Sequence, residues 1–323
     1  MLLPVKKNGR FGYVNREAAW VIQPRFDLAF PFYEGLALVS LPGRSLTGTV
    51  RQRYGYIDDT GRMVIKPRFK EAFSFSDGLA TVIPPGPARH RWGYIDAAGK
   101  MAIRPRFSLT GRFFDGLARA SVGGSAGFIG RDGEFVIPPR FDSAGDFSEG
   151  LAAVRMEGER KWGYVGPSGE RVVRAEFDWA EAFSEGLARV NSGGKWGFID
   201  RPGRYRCPPV FDYAYDFSEG LAPVAVERTY DEVLRARTGG KWGYIDKNGR
   251  GVIDSLFDRA FPFSDGQARI MLYDWWSYID RTGELMTEAR FDDATDFHGG
   301  IAVVWTGKQQ FVIDTEGKTR LIA

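Results

Sequence analysis

Apolar and polar positions along this chain do not fall into blocks; they recur. Lys241-Trp242-Gly243-Tyr244-Ile245-Asp246, followed by Lys247-Asn248-Gly249, is written repeatedly with small changes, from aromatic starts at Phe11, Tyr54, Trp92, Trp162, Trp196, Trp242 and Trp276 and from weaker ones at Ala126 and Gln310. The starts lie 43, 38, 34, 36, 34, 46, 34 and 34 residues apart. A near-constant period of this size means tandem structural units, none able to bury its apolar face alone. Fifteen residues after each start stands a Phe (Phe26, Phe69, Phe107, Phe141, Phe177, Phe211, Phe257, Phe291), usually followed by Asp. Six further on stands a second, Phe32 to Phe297, which in most copies opens Phe-Ser-acid-Gly-Leu-Ala. Both intervals are constant, so all length variation falls in one connection, which behaves as a tolerant surface loop.

The aromatic and β-branched run Trp-Gly-Tyr-Ile, closed by Asp-x-x-Gly, predicts a strand entering a tight turn. A second strand follows, as at Val64-Ile65 and Val136-Ile137, and is expected to stop at the next proline. A third begins at Gly-Leu-Ala and returns through a Gly-Gly hairpin such as Gly193-Gly194. The predicted module is therefore a three-stranded antiparallel meander running from Gly-Leu-Ala to Phe-Asp. The chain holds about nine of them, at roughly 1–27, 35–70, 78–108, 116–142, 150–178, 186–212, 220–258, 266–292 and 300–323. The fold class is all-β: one tandem array over residues 1–323, expected as an open superhelical, solenoid-like stack, with a closed propeller-like toroid as the alternative. The Trp, the two Phe and the Leu of the third strand are the expected contacts between modules. Only Thr229 to Arg237, in the longest insertion, has a composition that suggests a helical turn.

These motifs, in fixed register over essentially the whole chain, resemble the WG-repeat family of bacterial proteins. The resemblance implies repetitive β-rich modules with no common catalytic activity, and hairpins similar to the aromatic hairpins of cell-wall-binding repeats. The pattern departs at Ala126 and Gln310 in place of the aromatic, at Ser277 and Phe311 in place of Gly, and at Gly130 and Gly166 in place of Asp.

Composition changes this picture little. The 44 basic and 41 acidic residues leave a net charge of +3, which predicts no general attraction to polyanions. One cysteine, Cys207, rules out an internal disulfide framework and argues against a cysteine metal cluster; burial as a structural thiol is expected. No apolar run is long enough for a signal peptide or a membrane span, so the cytoplasm is the expected compartment, with export by a route that reads no cleavable signal still compatible.

Candidate chemistry is sparse. Gly123-Gly124-Ser125-Ala126-Gly127 matches the G-x-S-x-G elbow of hydrolases but fills the hairpin slot of the repeat, where that motif requires strand, turn and helix. His90 lies in a variable loop and His298 replaces the Ser of Phe-Ser-acid-Gly, so the repeat places neither for metal or acid-base work. The acids before Gly (Glu34, Asp77, Asp115, Glu149, Glu185, Glu219, Asp265) are expected to close turns or to pair with Arg25, Arg68, Arg106 or Arg140. Recurring Trp and Tyr are expected in the core. The non-repeated Trp20, Trp179, Trp275, Trp305, Tyr213, Tyr215 and Tyr273 are the better ligand candidates. Insertions at 41–53, 83–91, 155–161 and 225–240 share one module position and carry Arg44, Arg51, Arg53, Arg89, Arg91, Arg155, Arg160, Arg228, Arg235 and Arg237, so the side bearing them is the expected recognition face. The functional expectation is a non-catalytic scaffold for an as yet unidentified protein partner, needing no cofactor and no metal. A carbohydrate or cell-envelope binding module is the first alternative, and weak polyanion or nucleic-acid binding through the arginine-rich loops the least favoured.

Overall fold

The computed structural model describes residues 1–44, 50–86, 90–226, 229–231, 236–238 and 240–323, with the backbone alone for 44, 50, 51, 229–231 and 236–238. Every regular element among them is a strand, and none is a helix long and apolar enough to cross a membrane. The chain divides into two compact units: Met1–Asn15, Ala19–Glu159 and Val165–Glu170 form the first, and Arg16–Ala18, Arg160–Tyr164 and Arg171–Ala323 the second.

The expected meander is present, with one strand added to its edge. In the second copy, Leu36–Arg44, Val50–Ile57 and Met63–Phe69 run antiparallel, and Leu28–Tyr33, from the crossing between modules, pairs with Leu36–Arg44. In the third copy Glu71–Ala72 plays that part, and in the sixth Trp179–Ser184 does. The crossing thus starts the next sheet as well as separating it from the last.

The second strand does not stop at proline. Met63–Phe69 and Met101–Phe107 run through Pro67 and Pro105, and the strain is taken up by a bulge that opposes four residues to two: Tyr54 faces Phe69 while Tyr56 faces Ile65. A proline fits there because a bulged edge position has no ladder bond for its missing N–H to break. The bulge also explains the Gly of Trp-Gly. A Cβ on Gly55 would lie 2.4 Å from the Ile65 carbonyl oxygen, and one on Gly93 2.6 Å from that of Ile103. Backbone crosses backbone here, which leaves no room for a side chain.

Two of the insertions form ribbons. The strands of the second copy stay paired out to Arg44 opposite Val50. In the seventh, Thr229–Asp231 pairs with Ala236–Thr238, which replaces the expected helical turn with a hairpin. Thr229, Tyr230 and Thr238 are β-branched or aromatic, types that favour extended backbone once the two arms can pair.

Neighbouring modules share their cores. In the first unit Leu36, Leu38, Tyr56, Ile65 and Phe69 of the second copy pack with Phe75, Ala80, Val82 and Ile95 of the third. In the second unit Tyr244, Ile253 and Phe257 of the seventh pack with Phe263, Ile270 and Ile279 of the eighth. The centre of each junction is the Tyr or Phe after Trp-Gly: Tyr13, Tyr56, Tyr94, Tyr164, Phe128 and Tyr278 are fully buried. The phenols stay paired inside, Tyr56 to the Phe73 carbonyl at 2.7 Å and Tyr278 to that of Thr295 at 2.6 Å.

Three ladders of polar bonds repeat along the first unit, and two of them along the second. Each acid before Gly, with its Gly, takes positive φ, as at Glu34 (51°) and Gly35 (79°), the geometry of a two-residue hairpin. Its carboxylate accepts the N–H of the corresponding Gly of the next copy: Glu34 from Gly78 at 3.0 Å, Asp77 from Gly116 at 3.2 Å, Asp115 from Gly150 at 2.9 Å, Glu185 from Gly220 at 2.8 Å and Asp265 from Gly300 at 2.9 Å. The acids therefore close turns as expected but bridge to backbone amides and not to Arg25, Arg68, Arg106 or Arg140. Those arginines reach forward to the carbonyls of the next Asp-x-x-Gly turn, at Gly61, Gly99, Gly133 and Gly169. In the third ladder the Ser hydroxyl donates to the next copy, Ser76 to the Phe113 carbonyl and Ser264 to that of Phe297.

Candidate functional site

The ladders already use most of the chemistry that the repeat displays. Asp58, Asp246 and Asp280 cap their own turns, and side-chain or backbone donors hold their carboxyls below the usual range: first the Thr60 hydroxyl for Asp58, the Arg250 amide for Asp246 and the Thr282 hydroxyl for Asp280. Burial drives the phenols of Tyr56, Tyr94, Tyr164, Tyr244 and Tyr278 well above the ordinary value, so they remain neutral hydrogen-bond donors at physiological pH. Cys207 is buried against Gly249 of the next turn, and burial pushes its thiol up to about 11. Ser125 sits in a hairpin opposite Val122, with Gly123 and Gly124 at its tip. His90 lies exposed in a turn, and His298 donates its backbone N–H to Ile301. Among the described residues no cluster of three or more His, Cys, Asp or Glu side chains is placed to hold a metal.

Of the arginines expected on the recognition face, Arg89, Arg228 and Arg235 lie outside the described residues, as do the side chains of Arg44, Arg51 and Arg237. Arg91 and Arg160 are exposed and Arg53 is half-buried. Arg155, also half-buried, donates to the Ser143 hydroxyl of its own sheet at 3.3 Å.

The recurring Trp are buried at Trp92, Trp162 and Trp276 and half-buried at Trp196 and Trp242. Trp92 leans on Phe73, Trp162 on Trp179, Trp242 on Tyr213 and Tyr215, and Trp276 on Phe261, all from crossings, while the Arg189 guanidinium lies over Trp196 at 4.6 Å. Trp179, Tyr213, Tyr215, Trp275 and Tyr273 are exposed, and Trp20 and Trp305 are half-buried.

A cleft of about 690 Å³ opens in the first unit. Phe30, Pro31 and Tyr33 line it from the crossing into the second copy, Leu38 and Tyr54 from that copy's strands, Glu71 and Phe73 from the next crossing, and Trp92 and Arg112 from beyond. Phe73 and Trp92 lie 5.4 Å apart at 35°. The Arg112 guanidinium, over the Phe114 ring at 5.3 Å, lies near the Asp146 carboxyl, which burial raises against the pull of Arg119 and Arg112. The cleft therefore offers an aromatic floor with an acid at one place and a base at another.

A signal for this site was present in the sequence. The fourth residue after the first Phe of each crossing reads Phe30, Phe73, Gly111, Gly145, Glu181, Tyr215, Phe261 and Thr295. The repeat does not fix this position, so aromatics there are not accounted for by the periodic core.

The sequence profile described as the WG containing repeat matches residues 11–41, 54–83, 92–125, 127–159, 162–196, 196–230, 242–274 and 276–304. The chain belongs to the WG-repeat family. Its repeats carry the family signature in the Trp-Gly copies described above, and a matched span such as 54–83 runs from the last two strands of one observed sheet into the first two of the next. No curated protein matches the sequence. Among solved structures the chain is similar to Hsv2 of Kluyveromyces lactis (11% identity over 62% of this chain and 71% of that one, TM-score 0.40). It is also similar to apo AztD of Citrobacter koseri (13%, 88% and 91%, 0.43) and to virginiamycin B lyase of Staphylococcus aureus (11%, 76% and 92%, 0.39).

Proposed function

We propose that this WG-repeat chain is a non-catalytic scaffold that binds another protein through the cleft of its first unit. The observation that carries the reading is the exposure of Phe30, Tyr33 and Phe73, at 38%, 42% and 48%, in a chain whose repeated aromatics are spent on its own core. Exposed aromatics clustered in a concavity with one arginine are the usual anchors of protein interfaces, where a few such side chains carry most of the binding energy. Glu71 and Arg112 then fix the orientation of the partner. The ribbon of the first insertion rises from the same place, since Tyr54 follows Arg53 directly and Leu38 lies on the opposite strand. The loop-bearing face and the cleft act together in this reading.

The test uses the full chain as bait in a cytoplasmic extract of its host, beside a Phe30→Ser/Phe73→Ser variant. A protein captured in stoichiometric amount by the first and absent from the second supports the reading, provided that both unfold at the same temperature. Equal capture by both variants sinks it. Retention of the unmutated chain on glycan beads, lost in the variant, would move the assignment to a carbohydrate, which the Phe73–Trp92 platform could also stack against.

A further inference from the structure

The eighth copy breaks the repeat at two places that touch one another. Ser277 stands where the other intact copies have Gly and Thr287 where they have a buried Ile, Val or Cys, while Ala289, like Ala175 of the fifth copy, stands where most copies have Pro, as at Pro67 and Pro105. In the intact copies that buried residue plugs the junction: Ile65 lies under Gly99, Ile103 under Gly133 and Ile253 under Gly283. Thr287 does not. Its hydroxyl accepts the Ala289 N–H at 3.1 Å, a bond that a proline could not make, while Ser277 occupies the spot that the bulge needs bare.

The outcome is a lost strand. Leu285 stays bridged to Ile279, Met286 donates its N–H to the Tyr278 carbonyl at 2.9 Å and Phe291 is bridged to Trp276, while the stretch from Thr287 to Arg290 forms no strand. A cavity of about 440 Å³ opens beneath it, lined in large part by Leu272, Tyr273, Trp275, Trp276, Leu285 and Arg290. Arg290 occupies the register of Arg68, which binds the next turn's carbonyl, but among the described residues it makes no hydrogen bond or ion pair. Two of the rings are already capped by cations, Tyr273 by Lys241 at 5.8 Å and Trp276 by Arg269 at 4.7 Å, which disfavours a cationic ligand.

We infer that this cavity is a binding site for a small apolar, aromatic anion, whose ring lies against Trp275 and whose acid group meets Arg290. The size lies within the range of pockets that enclose small molecules. Glu288, also at the lip, excludes ligands carrying a second acid on that side. The site shares no residue with the cleft of the first unit, so either assignment can fail alone.

The test is a fluorescence titration of the full chain with 8-anilinonaphthalene-1-sulfonate, an aromatic sulfonate. Saturable binding is expected, about tenfold weaker in Arg290→Gln for loss of a charge-assisted contact. It should vanish in Ser277→Gly/Thr287→Ile/Ala289→Pro, which restores the repeat and closes the cavity, with the circular dichroism of a β protein retained. Trp275→Ala, at an exposed position, gives the same readout if the triple variant fails to fold. Undiminished binding in the folded triple variant, or in Trp275→Ala, overturns the site. Equal affinity in Arg290→Gln overturns the anionic class.

Discussion

In the third copy Phe73 lies beside Trp92 with its outer face bare; in the eighth, Phe261 lies beside Trp276 under a guanidinium. The ring pairs are at the same register, 5.4 and 5.7 Å apart. What differs is the third strand. Arg269 sits 4.1 Å from the Phe261 ring, pairs with Asp296 and donates to the Ala294 carbonyl, whereas the third copy has Thr81, whose hydroxyl turns inward to the Gly111 carbonyl at 3.1 Å. One residue of the third strand decides whether an aromatic pair is structure or surface. Repetition supplies the platform, and local substitution decides whether it is covered.

The two copies can be set against each other by mutation. Gly93→Ala drives a Cβ into the Ile103 carbonyl and should cost about 3 kcal/mol in urea unfolding, while Ser277→Ala, where the bulge has already left, should change stability by less than about 0.5 kcal/mol. Equal losses would mean that the glycine is not what admits the bulge. Arg269→Thr should cost about 2 kcal/mol, through loss of a charge-assisted bond and a partly buried ion pair. The reciprocal Thr81→Arg should cover Phe73 and abolish capture of the partner, at a cost of about 1 kcal/mol for the lost bond to the Gly111 carbonyl. Where the copies agree, the effect should be the same: Ser76→Ala and Ser264→Ala each remove one inter-module hydrogen bond, worth about 1 kcal/mol.

The smallest effect is on pH dependence. The Asp280 carboxyl is held below its usual 3.8, chiefly by the Thr282 hydroxyl, so the stability it contributes is present above pH 3.8 and is lost as the pH falls through its folded value. The Asp146 carboxyl is raised by burial, so its contribution is present below pH 3.8 and is lost as the pH rises through its folded value. Stability relative to Asp280→Asn should therefore rise with pH, and relative to Asp146→Asn it should fall. Thermal melts between pH 3 and 7 read both slopes.

The period, the strands and the resemblance to the WG family were legible because a module must present the same side chains to each neighbour. Phe69, Phe75 and Tyr56 recur for that reason, and spacing alone finds them. What pattern reading missed depends on three-dimensional crossing: why Gly55 cannot carry a side chain, why Met63–Phe69 survives Pro67, and why the acid row reaches amides and not arginines. The site was harder still. Phe30 and Phe73 look like variable connector residues until the fold shows that nothing covers them. Arg290 matches Arg68 in sequence, and only the displaced backbone shows that its job is gone. Conversely, the arginines of the insertions drew notice by being many, though position along a loop does not make a surface.

The carboxylate bridges from Glu34 to Gly78, from Asp77 to Gly116 and from Asp265 to Gly300 look alike at each junction in which they occur. A seam built from the same two groups every time cannot tell its proper neighbour from a stranger. Correct order is then favoured by tethering, through crossings of constant length such as 70–75 between one sheet and the next. Concentrated refolding should accordingly yield dimers in which modules of two polypeptides have traded partners.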